Sequence, residues 1–86
     1  MARFELVFRP SVAKDMRDIP ADDLKKILRR IDLLQDDPRP PGCVKLSAMD
    51  YFRVRQGNYR IIYEIEDDKL IVVVVKVGHR RDVYKG

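Results

Sequence analysis

Residues 51–66, YFRVRQGNYRIIYEIE, decide the fold. Gly57-Asn58 forms a two-residue turn with glycine first, the place where a tight hairpin needs positive φ, and both flanks alternate in polarity. The turn sets the register: Gln56 opposite Tyr59, Arg55 opposite Arg60, Val54 opposite Ile61, Arg53 opposite Ile62 and Phe52 opposite Tyr63. Successive strand residues point to opposite sides. Phe52, Val54, Ile61 and Tyr63 therefore share one face, and Arg53, Arg55 and Arg60 the other. Like charges directly opposed destabilise a strand pair by roughly 0.2–1 kcal/mol. Folding alone gives no reason to choose that. A polyanion lying across the face does, because guanidinium forks match phosphate oxygens. The plainer alternative is a solvated sheet face whose arginines discourage aggregation.

Downstream, Asp67-Asp68 reads as a turn and Lys69 to Val77 as a strand. Its run of six apolar residues, Leu70 to Val75, suits a strand buried on both faces and central in the sheet. Counting across a two-residue turn sets Glu64 against Ile71, Ile62 against Val73 and Arg60 against Val75. An apolar strip of Ile62, Val73 and Val75 then lies beside the arginines, as expected of a surface that binds another protein. The same count carries Val77 and His79 to the side of Arg60. After Gly78 the chain ends in His79-Arg80-Arg81-Asp82-Val83-Tyr84-Lys85-Gly86. The imidazole of His79 can pass a proton either way, or it is an ordinary surface residue. Tyr84 either serves the site or closes the core.

Upstream, residues 2–8, ARFELVF, alternate as a first strand until Arg9-Pro10-Ser11. Val12, Ala13, Met16 and Ile19 recur at helical spacing up to Pro20. A second helix opens at Pro20-Ala21-Asp22-Asp23, with acidic residues at its positive end, and ends near Asp36-Asp37-Pro38. Leu24, Ile27, Leu28, Ile31 and Leu34 form its apolar stripe, and Lys25, Lys26, Arg29 and Arg30 a solvated outer face. The two helices form a hairpin that covers the sheet. Residues 37–48, DPRPPGCVKLSA, read as a surface loop. The expected class is α+β: an N-terminal strand, a helical hairpin, then antiparallel strands in a small twisted sheet, with a short C-terminal turn or helix.

With 86 residues, 1–86 is expected to be one domain with one modest core. The net charge is +4, and residues 51–86 hold eight Lys and Arg against five acidic residues, a balance that favours an acidic partner such as nucleic acid. The single cysteine, Cys43, excludes an internal disulfide and a multi-cysteine metal site. With no partner nearby to depress its pKa, it reads as a small loop residue. No apolar run approaches a membrane span and MARFELVF lacks the apolar region of a secretory signal, so a cytoplasmic protein is expected.

The two segments YFRVRQGNYRIIYEI and VVVVKVGHRRDVY, with the loop ending Lys45-Leu46, resemble the RelE/ParE superfamily of toxin–antitoxin toxins, its RelE branch most of all. The resemblance spans nearly the whole chain. It implies a fold similar to microbial ribonucleases, cleavage of messenger RNA in the ribosomal A site without metal or other cofactor, and neutralisation by a cognate antitoxin in a hetero-oligomer. It further implies that Arg60 holds the scissile phosphate, that Arg80 assists there or at the leaving group, and that Tyr84 stacks on a base. Arg53 and Arg55 fall where RelE-type proteins often carry lysines, with Lys45 and Arg81 as further substrate contacts. His79 stands where relatives have lysine or histidine. Two departures stand out. Ser47-Ala48 replaces a further basic residue that often follows the Lys-Leu pair. Arg53 and Arg55 carry guanidinium groups, which keep their protons, and so do not act as bases. The base is left among His79, Glu64 and Tyr84. Two other readings use the same scaffold: a ParE-like inhibitor of DNA gyrase without enzymatic activity, and a basic module that binds RNA without cutting it. In either toxin reading an antitoxin segment covers Ile62, Val73 and Val75 and pairs with an exposed strand edge.

Overall fold

The computed structural model describes residues 3–46 and 50–79. Strand β1 (Glu5–Phe8) leads into helices α1 (Pro10–Arg17) and α2 (Ala21–Leu33). Then come β2 (Val44–Lys45), β3 (Tyr51–Gln56), β4 (Tyr59–Glu66), a 3-10 turn (Asp67–Lys69) and β5 (Ile71–His79). The strands form one sheet in the order β1-β5-β4-β3-β2, with β1 parallel to β5 and the other neighbours antiparallel. The α+β arrangement expected from the sequence is the one found. The C-terminal turn or helix lies outside the described residues.

Each helix begins at proline. Pro10 is the first helical residue of α1, where its missing N–H costs nothing, and Pro20 precedes α2, whose first turn holds Asp22 and Asp23. Val12, Ile27, Ile31 and Leu34 are buried against Val54, Ile61, Tyr63, Val72, Val74 and Val77 of the sheet. One residue of the α2 stripe departs from expectation: Leu28 is 42% exposed. It lies at the margin with Phe8 and Met16, where β1 is too short to roof the helices. Among the described residues no helix is long and apolar enough to cross a membrane.

The β3–β4 hairpin has the register that its turn dictates, from Gln56 opposite Tyr59 to Tyr51 opposite Glu64. Gly57 has φ +60, so glycine supplies the left-handed first position at no steric cost. The β4–β5 register differs from the count. The connection is a four-residue loop, Asp67 to Leu70, with Leu70 itself left-handed at φ 54, so Glu66 pairs with Ile71 and Glu64 with Val73. A bulge between Ile62 and Tyr63 shifts the remainder: Ile62 meets Lys76, Arg60 meets Gly78 and Tyr59 meets His79. A bulge exchanges the faces beyond it, which brings both Val74 and Val77 to the buried side.

Strand β5 lies between β1 and β4, as its apolar run requires. Only one of its faces is fully covered: Val72, Val74 and Val77 are buried, whereas Ile71, Val73 and Val75 are partly exposed. Strand β1 ends at Phe8, opposite Val74. Beyond that point Asp15 of α1 takes over, its carboxylate accepting the Val77 N–H at 3.2 Å. The short strand β2 was hidden inside the proline-rich loop. Val44 and Lys45 pair with Arg53 and Phe52 and make the sheet five-stranded. The loop before them is anchored from below. The Tyr63 hydroxyl donates to the Pro38 carbonyl at 2.7 Å and lies 3.2 Å from Cys43 Sγ. Arg39 stacks over Phe52, 5.2 Å from the ring centre, and reaches both Asp67 oxygens at 2.9 and 3.1 Å.

Candidate nucleic-acid interface

The helices cover one face of the sheet, so strand alternation consigns every second residue of β3 and β4 to the open face. Arg55 faces Arg60 directly, and Arg53 lies two residues back on the same side, opposite Ile62. Arg55 is exposed and Arg53 half-buried, while Arg60 retains only 4% exposure. The partner of Arg60 on its other flank is Gly78, which has no side chain to compete for the space. A buried cation beside a second cation is electrostatically costly in the folded chain. A phosphate group, with oxygens enough for both guanidiniums, matches such a pair.

Further along the same face, Arg9 Nη2 donates to Glu64 Oε1 at 2.8 Å. This ion pair joins the end of β1 to β4 across β5 and borders the partly exposed Val73. No sequence signal pointed to Arg9, since its partner is 55 residues away. The expected apolar strip is consequently narrower: Val73 lies beside Glu64, and Ile62 beside Lys76.

The other candidate residues are placed differently. Lys45 is opposite Phe52, which belongs to the helix-covered face, and its ammonium is 3.9 Å from Asp50. His79 does not join Arg60. It is opposite Tyr59, on the helix side, with the two rings edge to face at 5.6 Å. The physical reason is the bulge: the longer loop slides β5 by two residues and keeps its faces, and the one extra residue of the bulge turns His79 to the other side. Arg80, Arg81 and Tyr84 lie outside the described residues. The structure thus brings together Arg53, Arg55 and Arg60, with Glu64 and Arg9 on the same face, and separates Lys45 and His79 from them.

Residues 6–84 match the family described as the ParE toxin of the type II toxin–antitoxin system parDE. The chain belongs to the RelE/ParE toxin superfamily. Its relatives place it on the RelE branch. The protein named RelE1 of Methanocaldococcus jannaschii is 29% identical over 96% of this chain and 97% of its own. Among solved structures, the toxin–antitoxin complex RelBE2 of Mycobacterium tuberculosis includes a chain that superposes with a TM-score of 0.79 at 25% identity, covering 91% of this chain and 99% of that one. A mutant of Escherichia coli toxin RelE in the free state gives 0.77 at 27% identity, covering 99% and 93%. In this RelE-like scaffold the three arginines occupy the face that the helical hairpin leaves uncovered.

A notch in the arginine cluster and a larger cavity on the helix side share Tyr59, a residue that sequence reasoning passed over. A notch of about 30 Å³ is lined by Arg55, Gly57, Tyr59 and Arg60. On the other side of Tyr59 a cavity of about 430 Å³ opens between α1 and the end of β5. The signal for Tyr59 was available in its position directly after the turn, at the tip of the hairpin where both faces are within reach.

Proposed function

We propose that this RelE-like toxin is an endoribonuclease that cuts messenger RNA, in the ribosomal A site. The observation that carries the reading is the opposition of Arg55 to the nearly buried Arg60, with Arg53 on the same face. In the reaction the RNA 2′-oxygen attacks the adjacent phosphorus, the P–O5′ bond breaks, and a 2′,3′-cyclic phosphate and a 5′-hydroxyl end result. The proton of the 2′-hydroxyl goes to a base, and the departing 5′-oxygen receives one. Charge accumulates on the phosphorane oxygens between these events, and fixed guanidinium donors aimed at those oxygens stabilise it more than the ground state. Arg60 is assigned to the scissile phosphate, and Arg53 and Arg55 to the flanking backbone. Arg80 assists at the phosphate, Tyr84 stacks on a base, and Arg81 and Lys45 contact RNA further out. Glu64 is the proton acceptor that this geometry favours over His79, because it shares the arginine face.

Arg60→Ala lowers the rate of cleavage on programmed ribosomes by about 10² to 10³, the usual loss for one well-placed donor. Unchanged cleavage in that variant rejects the assignment. The complex of RelBE2 supports an antitoxin partner for this chain as well. Its docking on Ile62 and Val73 would place it over the arginine face. The match to ParE toxins favours a second reading, inhibition of gyrase by binding alone. Brief induction in cells separates the two: cut transcripts and a fast stop in protein synthesis mark the ribonuclease, whereas an SOS response with intact transcripts marks the gyrase inhibitor.

A further inference from the structure

Strand β1 ends the sheet, and the middle of its outer edge is not blunted. Proteins keep edge strands from pairing with other chains by placing charges, prolines or bulges along them. Between Glu5 and Arg9 this edge carries only Leu6, Val7 and Phe8, and Val7 and Phe8 are 42% and 43% exposed. The N–H groups of Glu5 and Arg9 point inwards, to the carbonyls of Leu70 and Val74. Alternation therefore turns the N–H and C=O groups of Leu6 and Phe8 outwards, as a row open to another strand.

The row is closed at both ends. Phe4 donates its N–H to the Gln35 carbonyl at 2.9 Å, and its own carbonyl accepts from the Gln35 side-chain amide at 3.1 Å. At the other end Pro10 has no N–H and starts α1. The open window, Leu6 to Phe8, complements itself. In an antiparallel pair centred on Val7, Leu6 exchanges both backbone bonds with Phe8 of a second copy, and Phe8 with that copy's Leu6. A register centred on Leu6 calls on the committed Phe4 and sets Arg3 against Arg9, and one centred on Phe8 calls on Pro10. In the Val7 register Glu5 lies opposite Arg9, a cross-strand pair of unlike charge. Glu5 has no ion pair of its own among the described residues, and Arg9, which gives one nitrogen to Glu64, has further donors.

We propose that two copies of this chain associate through β1, antiparallel about Val7, into one continuous sheet. The two-fold axis crosses the sheet between the two Val7 residues. Both arginine faces then lie uncovered on the same side, with the two β4 strands about 24 Å apart at the usual strand spacing. On the helix side Phe8 meets Leu6 of the second copy, beside the apolar groove that Phe8 shares with Met16 and Leu28. A strand of four residues makes a small contact, so the association is weak, in the class that buries less than about 1,200 Å².

Sedimentation equilibrium of the full chain, at concentrations up to about 1 mM, shows a monomer–dimer equilibrium. Val7→Lys sets two ammonium groups against each other in place of an apolar contact and raises the dissociation constant at least about tenfold. Val7 is exposed, so the variant keeps the parent's thermal midpoint at dilutions where both are monomeric. The register has its own readout. In a Cys43→Ala background, Val7→Cys brings two thiols to opposed positions with α-carbons about 4.5 Å apart, within reach of a disulfide, and mild oxidation links the copies. Phe8→Cys, opposite Leu6, does not link. A dimer unmoved by Val7→Lys, or equal linking at positions 7 and 8, overturns the proposal. A parent that is monomeric throughout overturns it too and leaves the edge to a different chain. Cleavage on programmed ribosomes scores the ribonuclease reading separately, because the contact leaves Arg53, Arg55 and Arg60 free of the second copy.

Discussion

Arg55 and Arg60 face each other across the hairpin, and the repulsion between like charges so placed is measurable. Arg55→Glu replaces repulsion by a cross-strand ion pair, so the variant gains about 1 kcal/mol in urea unfolding. The same change weakens RNA binding, whereas a purely structural sheet face predicts the gain without the loss. Arg55→Gln removes one phosphate contact, and the slope of log affinity against log salt for single-stranded RNA falls by about 0.7. Tyr63 makes a second case at this scale. Burial first, then the hydrogen bond with Cys43, pushes its phenol far above the ordinary 10.0. In the unfolded chain the phenol ionises near that ordinary value while the folded chain keeps its proton, so unfolding releases a proton and stability falls as pH rises past about 10. Tyr63→Phe flattens this alkaline decline. At neutral pH it costs about 1–3 kcal/mol, because the Pro38 carbonyl loses its donor.

Among the elements, what the sequence revealed and what it concealed divide along the lengths of the turns. Gly57-Asn58 has two residues and one favoured geometry, so every pair of the hairpin could be counted from the turn. Asp67-Asp68 looks equally short, yet the loop extends to a left-handed Leu70, and a bulge further along re-aims Val77 into the core. Both depend on packing that no local signal encodes. The position of His79 was lost with that register. Strand β2 was illegible because two exposed residues behind three prolines have no period to read. The clasp of Arg39 on Asp67 is likewise non-local, and it has an acid signature. The hydrogen bond from Arg39 holds the Asp67 carboxyl below its ordinary 3.8. The clasp's contribution is therefore complete above that value and disappears as pH falls through the depressed one. Thermal melts between about pH 5 and pH 2 should show a steeper acid decline in the parent than in Asp67→Asn. Equal slopes would remove the clasp from the account.

At the scale of the molecule, the first strand closes what the last strand opens. β5 is the most apolar strand, and its two edges are held by elements from opposite ends of the chain, β4 and β1. Four residues of β1 pair in parallel with Ile71 to Val74, Arg9 N–H continues to the Val74 carbonyl, and Phe4 is held through its N–H and carbonyl by Gln35. A parallel neighbour has no hairpin to bring it into place, so this contact forms only once the helices have folded back over the sheet. Removing residues 1–8 would expose a long apolar edge, the arrangement most prone to strand addition between copies. The shortened chain is expected to lose its cooperative melt and to elute as large species in size-exclusion chromatography. Arg9→Ala, which cuts only the tie to Glu64, should leave it monodisperse with a change of at most about 1 kcal/mol, as for an exposed ion pair. A truncated chain that stays monomeric with a sharp melt would show that α1 and Asp15 suffice to seal that edge. The sheet would then hold its arginine face in position without its first strand.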